Sequence, residues 1–88
     1  MEFDWDPLKA DANRRRHGVE FSEAGSVFGD SLAVTFPDPD HSEEELRWIT
    51  LGLSNAGRLL FVSHTERGGR IRIISARPAS RRERKLYE

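Results

Sequence analysis

The chain contains no cysteine. Disulfides and thiolate metal sites are therefore closed to it, and a reducing compartment suits it as well as any other. No apolar run approaches the roughly 20 residues that a bilayer-spanning helix needs. The opening Met-Glu-Phe-Asp-Trp-Asp is acidic, where a secretory signal would be basic and then apolar. These absences predict a soluble, cytoplasmic protein with no membrane partner. Lysine is almost missing too: Lys9 and Lys85 are the only two. Internal repeats and low-complexity tracts are absent, so residues 1–88 read as a single domain with room for one site. A domain of that size buries about 60–65% of its unfolded surface, and much of its stability must come from one sheet.

What the chain does have is charge, unevenly placed. Residues 1–45 carry four basic and twelve acidic side chains, whereas residues 46–88 carry ten basic and three acidic ones. The formal net charge of −1 conceals this dipolar distribution. The basic residues gather toward Gly69–Glu88, an apolar strand followed by an arginine-rich segment. Cations concentrated on one element are the electrostatic footprint of a nucleic-acid binder. An acidic protein partner would satisfy the same arginines.

In chain order, Phe3 and Trp5 alternate with acids as on a short edge strand. Asp6-Pro7 starts a helix running to Arg16 or His17, with Asp as cap, Pro at the first position and Gly18 past the end. Leu8 and Ala12 form its thin apolar stripe, and Lys9, Asn13, Arg16 and His17 form a polar face that is either solvated or turned to phosphate. A second short helix is expected from Ser22 to Phe28, then a strand from Ser31 to Phe36. The acidic turn Pro37–Glu44 follows. Its Asp38, Asp40, His41 and Glu43 are oxygen-rich enough for a divalent cation. With no fixed ligand spacing and no second histidine, a solvated turn is the preferred reading, with no metal and no cofactor. Three strands joined by Ser54–Gly57 and Arg67–Gly69 then predict an antiparallel meander over Glu45–Leu53, Arg58–Glu66 and Arg70–Arg77. Ser80-Arg81-Arg82-Glu83 has the form of a capping box opening a last helix, Ala79–Tyr87. The fold class is α+β: a small antiparallel sheet with two N-terminal helices and a C-terminal helix.

If the Arg67–Gly69 turn pairs Glu66 with Arg70, His64 stands opposite Arg72 on one face beside Val62 and Ile74. Phe61, Ser63 and Thr65 then share the other face with Ile71, Ile73, Ser75 and Arg77. An imidazole, a guanidinium and the Glu66 carboxylate together have the parts for metal-free RNA cleavage, which needs a proton acceptor, a proton donor and cations around the phosphate. His64 is the candidate for moving protons, Arg72, Arg77, Arg81 and Arg82 for holding phosphates, and Tyr87 for stacking or proton donation. A lone histidine on a strand is more often structural, and Trp5 and Trp48 are better core residues than base platforms.

Phe3-Asp4-Trp5-Asp6-Pro7-Leu8-Lys9-Ala10 with Asn13, His17-Gly18-Val19-Glu20-Phe21, the stretch from Ala24 to Asp30 ending Val-Phe-Gly-Asp, and the tail from Arg72 through Arg81-Arg82-Glu83-Arg84 to Tyr87 together resemble the BrnT family of toxins. The resemblance covers essentially the whole chain. It implies the toxin half of a type II toxin–antitoxin pair, with a RelE-like fold and a metal-independent endoribonuclease activity that blocks translation. It implies a BrnA-like antitoxin partner, contact with operator DNA only through that antitoxin, RNA as substrate, free or ribosome-associated, and a toxin–antitoxin heterotetramer. His64, Arg72, Arg77, Arg81, Arg82 and Tyr87 are the positions that could fill the roles this implies; with the polar face of the first helix and the strand that opens the basic stretch, catalysis is expected at His64, Arg72, Arg77 and Tyr87, and RNA contact at Lys9, Arg16, His17, Arg70, Arg81 and Arg82. The lysines common in RelE-type sites have no evident counterpart.

Overall fold

The computed structural model of the chain describes residues 1–38 and 45–87. Gly68 and Gly69 take φ of +60° and +78°, a conformation that glycine adopts freely and that a two-residue hairpin turn requires. They join β4 (Leu59–Arg67) to β5 (Arg70–Pro78), the two longest strands. β3 (Trp48–Leu53) pairs antiparallel with β4, and β2 (Val34–Pro37) pairs antiparallel with β3. β1 (Phe3–Asp4) lies parallel to β5, matching Phe3 with Ile71 and Asp4 with Arg72. The sheet, in the order β1-β5-β4-β3-β2, is therefore mixed, not purely antiparallel as expected.

Register is the second departure. The turn holds two residues, so Arg67 pairs with Arg70, Thr65 with Arg72 and His64 with Ile73. A β-bulge follows, since Ser63 pairs with Ser75 and leaves Ile74 as the extra residue on β5. The side chain alternates between faces at each step, so this one-residue slip moves Ile71 and Ile73 to the face of His64 and sends Arg70 and Arg72 to the other. Past the bulge, Ser75 and Arg77 stay with Phe61 and Ser63, as expected.

One face carries the helices. α1 spans Pro7–His17 and α2 spans Phe21–Ser26, continued by a 3₁₀ turn over Val27–Gly29. Val19, Phe21, Ala24 and Val27 pack on Leu60, Val62, Ile73 and Ala76, with Phe3, Trp5, Ala10 and Phe28 around them. Both strand faces need apolar cover, and a shell this thin is typical of a chain this short. Gly52 lets the 3₁₀ turn approach β3: a Cβ there would lie 2.9 Å from Ala33 Cβ and 3.2 Å from the Val27 carbonyl. α1 does not dock through Leu8, which is 81% exposed. It docks through Asn13, whose side-chain amide donates to the Val19 and Ala76 carbonyls at 3.0 and 2.8 Å and accepts from the Ala76 N–H at 3.0 Å. That amide completes the backbone bonding of β5 beyond the reach of the two-residue β1.

The other face carries the tail. Leu51, Leu59 and Ala79 are buried there, with Val34, Phe61 and Tyr87 packed against them. The final helix α3 is a single turn, Arg81–Arg84, shorter than expected. Its capping box is in place, with Ser80 and Glu83 each satisfying the other's backbone N–H. β2 and β3 begin later than expected, at Val34 and Trp48, and α2 ends sooner, at Ser26. No helix among the described residues is long and apolar enough to cross a membrane.

Candidate functional site

The tail-covered face supplies a floor of alternate residues from β4 and β5: Phe61, Ser63 and Thr65 beside Arg72, Ser75 and Arg77. It is clasped at both ends. At one end Thr65 Oγ1 donates to the Leu46 carbonyl at 2.5 Å; at the other, the segment after β5 turns back over the sheet. Arg77 stands at that second end. Its guanidinium lies 4.2 Å from the Phe61 ring centroid and forks onto Glu83, Nη1 to Oε1 at 2.8 Å and Nη2 to Oε2 at 2.7 Å. A planar fork held on both oxygens and stacked on a ring has one orientation. Donation from Arg77 is also the largest cause holding the Glu83 carboxyl below its ordinary range.

Tyr87 packs on the same apolar cluster and anchors the chain's end. Its hydroxyl donates to Asp30 Oδ2 at 2.5 Å. The same carboxylate accepts from the backbone N–H groups of Leu53 and Leu32 at 2.8 and 3.0 Å. These three donors, Tyr87 foremost, lower the Asp30 pKa, and the bond to Asp30 raises that of the tyrosine. Asp30 enters the sequence reading only as the end of the Val-Phe-Gly-Asp stretch; nothing local marks it as the tail's anchor.

His64 is elsewhere. It is buried on the helix-covered face, with its ring edge-on to Phe28 at 4.9 Å between centroids, and Nε2 lies 2.7 Å from Thr50 Oγ1. Burial lowers its pKa to about 4, the direction expected when a charge would be desolvated. It also borders an open hollow of about 330 Å³ lined by Thr35, Trp48, Thr65, Glu66 and Ile71. The expected grouping of His64 with Arg72 on one face is thus corrected by the register: Arg72 points to the opposite side, where Nη1 meets Asp4 Oδ1 at 3.2 Å. Arg72 is also five residues from Arg77, about 15 Å along the strand. The two do not reach one phosphate together.

The cations divide by pairing. Arg70 is bonded to Glu2 at 3.1 Å and Arg72 to Asp4. Among the described residues, Lys9, Arg16, Arg81, Arg82, Arg84 and Lys85 have no carboxylate partner. Two unpaired banks therefore remain among these residues, one on α1 and one on α3. His17 joins the first, around a hollow of about 190 Å³ with Lys9, Arg16 and Ser75. Of the acidic turn weighed as a metal site, Asp40, His41 and Glu43 lie outside the described residues, and those residues contain no group of metal-ligating side chains.

Comparison with known proteins places this architecture. Residues 5–83 match the family described as the ribonuclease toxin, BrnT, of type II toxin–antitoxin systems. The chain belongs to the BrnT family. The solved structure of the Brucella abortus ribonuclease toxin BrnT superposes with a TM-score of 0.71 at 25% sequence identity, covering 92% of this chain and 99% of that one. Among curated proteins none matches. Membership of BrnT implies an antitoxin partner, since the family is the toxin half of type II pairs.

Proposed function

We propose that this chain is an endoribonuclease toxin whose working surface is the tail-covered face of the sheet, as in RelE-like toxins. The observation that carries the reading is Arg77, fixed by Glu83 and Phe61 at the root of α3. Beside it stand Arg81 and Arg82, which have no carboxylate partner among the described residues. Attack of a ribose 2′-hydroxyl on its phosphate builds negative charge on the phosphoryl oxygens. A preorganised guanidinium stabilises that charge without reorganising during the step. Arg81 and Arg82 supply phosphate contacts on either side. Tyr87 donates its hydroxyl proton to Asp30 in the resting chain; when that bond opens it protonates the leaving oxygen, while solvent water takes the proton of the attacking 2′-hydroxyl and the tyrosine is reprotonated from solvent. Arg70 and Arg72 lie farther along β5 and bind neighbouring nucleotides when their pairs with Glu2 and Asp4 open. His64, buried across the sheet, is assigned to packing; no metal is invoked because guanidinium groups meet the charge requirement.

In the cell, the activity cuts RNA in the cytoplasm, free or on the ribosome, and blocks translation. A BrnA-like antitoxin silences it in an assembly of two toxins and two antitoxins, and that antitoxin makes the contact with operator DNA. The test is expression of the chain without a partner, with total RNA mapped for new 5′ ends. New ends are expected with the native chain, and about 10²–10³-fold fewer with Arg77→Ala, the loss typical of one charge-stabilising donor. Growth arrest with intact RNA would replace cleavage by plain RNA or ribosome binding. No arrest at all would leave a regulatory partner of the antitoxin.

A further inference from the structure

The hollow between α1 and β5 has no part in the chemistry above, yet its walls are firmly set. Asn13 is pinned by three hydrogen bonds to Ala76 and Val19. Lys9 and Arg16 lie four residues before it and three after, so they stand one turn away on the same helix stripe. Fixing Asn13 to the strand therefore holds both cations over β5, at the bulged Ile74 and at Ser75. His17 closes one end, and no carboxylate among the described residues lines the space. Asp11, the acid within α1, is bonded to Arg14 and Arg15 instead.

Helix electrostatics account for part of this cluster only. Basic side chains in the last turn of α1 suit the negative end of its dipole, which covers Arg16 and His17. Lys9 is in the first turn, where the dipole opposes a positive charge. It has no carboxylate to compensate it among the described residues. A cation placed against the local field, unpaired and facing a hollow, fits an anion that arrives from outside.

We infer that Lys9, Arg16, His17 and Ser75 form a second phosphate site, which holds the backbone of single-stranded RNA one or more nucleotides away from the scissile link. The inference rests on the proposed nuclease reading for its substrate. Ser75 shares the tail-covered face with Arg77 and is two residues from it, about 7 Å along the strand. That is roughly one extended nucleotide, so a strand whose scissile phosphate meets Arg77 passes its neighbouring phosphate to the hollow. A cationic groove that tracks the backbone in this way favours single strands without reading sequence.

The experiment uses fluorescein-labelled oligouridylates with 2′-O-methyl groups, which cannot be cut, and follows anisotropy against salt concentration. For the full chain, a hexanucleotide is expected to bind more tightly than a dinucleotide. Lys9→Ala/Arg16→Ala, two exposed positions, is expected to weaken hexanucleotide binding about tenfold and to flatten the salt dependence by about 0.7 for each phosphate no longer neutralised. Dinucleotide binding should stay as in the native chain, and an unchanged melting curve verifies the fold. Hexanucleotide affinity and salt slope equal to the native values would overturn the second site, as would a native chain that binds no oligonucleotide. Weakened binding of the partner antitoxin with RNA binding intact would also overturn it, by making the hollow a protein interface. The nuclease reading fails separately: a native chain that binds through the hollow but leaves natural RNA uncut loses the cleavage and keeps the site.

Discussion

Asn13 and His64, on the side of the sheet that the helices cover, are polar groups taken wholly inside and satisfied by one or a few fixed partners. Arg77, Arg72 and Tyr87, on the side that the tail crosses, remain at a half-exposed rim and are held by carboxylates instead. The difference is one of consequence. A buried amide without its partners has nowhere to find water, whereas a rim arginine that loses its carboxylate is solvated at once. The helix-covered side therefore governs whether the chain folds, and the tail-covered side is free to trade its internal partners for an external anion.

The severest test of that contrast is Asn13→Ala. The change leaves the Ala76 N–H and two carbonyls without their bonds in a buried setting and is expected to lower unfolding free energy by about 3–5 kcal/mol. That is a large share of the roughly 5–15 kcal/mol available to a folded protein. Urea unfolding measures it. A loss below about 1 kcal/mol would mean that α1 is not fixed through this amide.

His64 gives a smaller, pH-dependent effect. Its folded pKa of about 4 lies below the ordinary 6.5, so the unfolded chain takes up the proton first. The contribution is complete above about pH 6.5 and is lost as pH falls toward the folded value, about 2 kcal/mol of it by pH 5. Glu23, Asp30 and Glu83, whose pKa values are depressed from ordinary values of 4.5, 3.8 and 4.5 by their hydrogen bonds, lose stability only at lower pH. His64→Gln, which keeps a donor near Thr50 and does not titrate, should flatten the stretch between neutral pH and pH 5. A variant with the native acid limb would place the titration in another group.

The sequence carried the element order, the hairpins, the Ser80–Glu83 capping box and the family, because each depends on neighbours a few residues apart. It did not carry the register. Whether Arg67-Gly68-Gly69 turns with two residues or three depends on which of His64 and Arg72 must face the helices, and apolar β5 offers isoleucines to both sides. The bulge at Ile74 has no local signature at all. From that one residue followed the placing of His64 with Arg72, which the structure separates. Asn13 was visible as a polar stripe residue, but its three backbone partners are up to 63 positions away in sequence, beyond any spacing argument. The parallel pairing of β1 with β5 is distant in the same way.

The smallest effect belongs to Arg72, and it resolves the two sides most finely. Its pair with Asp4 at 3.2 Å is partly exposed, so Arg72→Ala should cost about 0.5 kcal/mol, less at high salt. Asp4→Asn should cost the same, and the double variant little more, since both remove one interaction. RNA cleavage separates the partners. If Arg72 can leave Asp4 for a neighbouring phosphate, Arg72→Ala weakens substrate binding while Asp4→Asn, which frees the guanidinium, strengthens it. Equal cleavage by both variants would make the pair a staple for β1 alone and confine RNA contact on this face to the Arg77 end. Opposite shifts at equal stability would mean that the tail-covered side uses its own carboxylates as stand-ins for the anion it awaits.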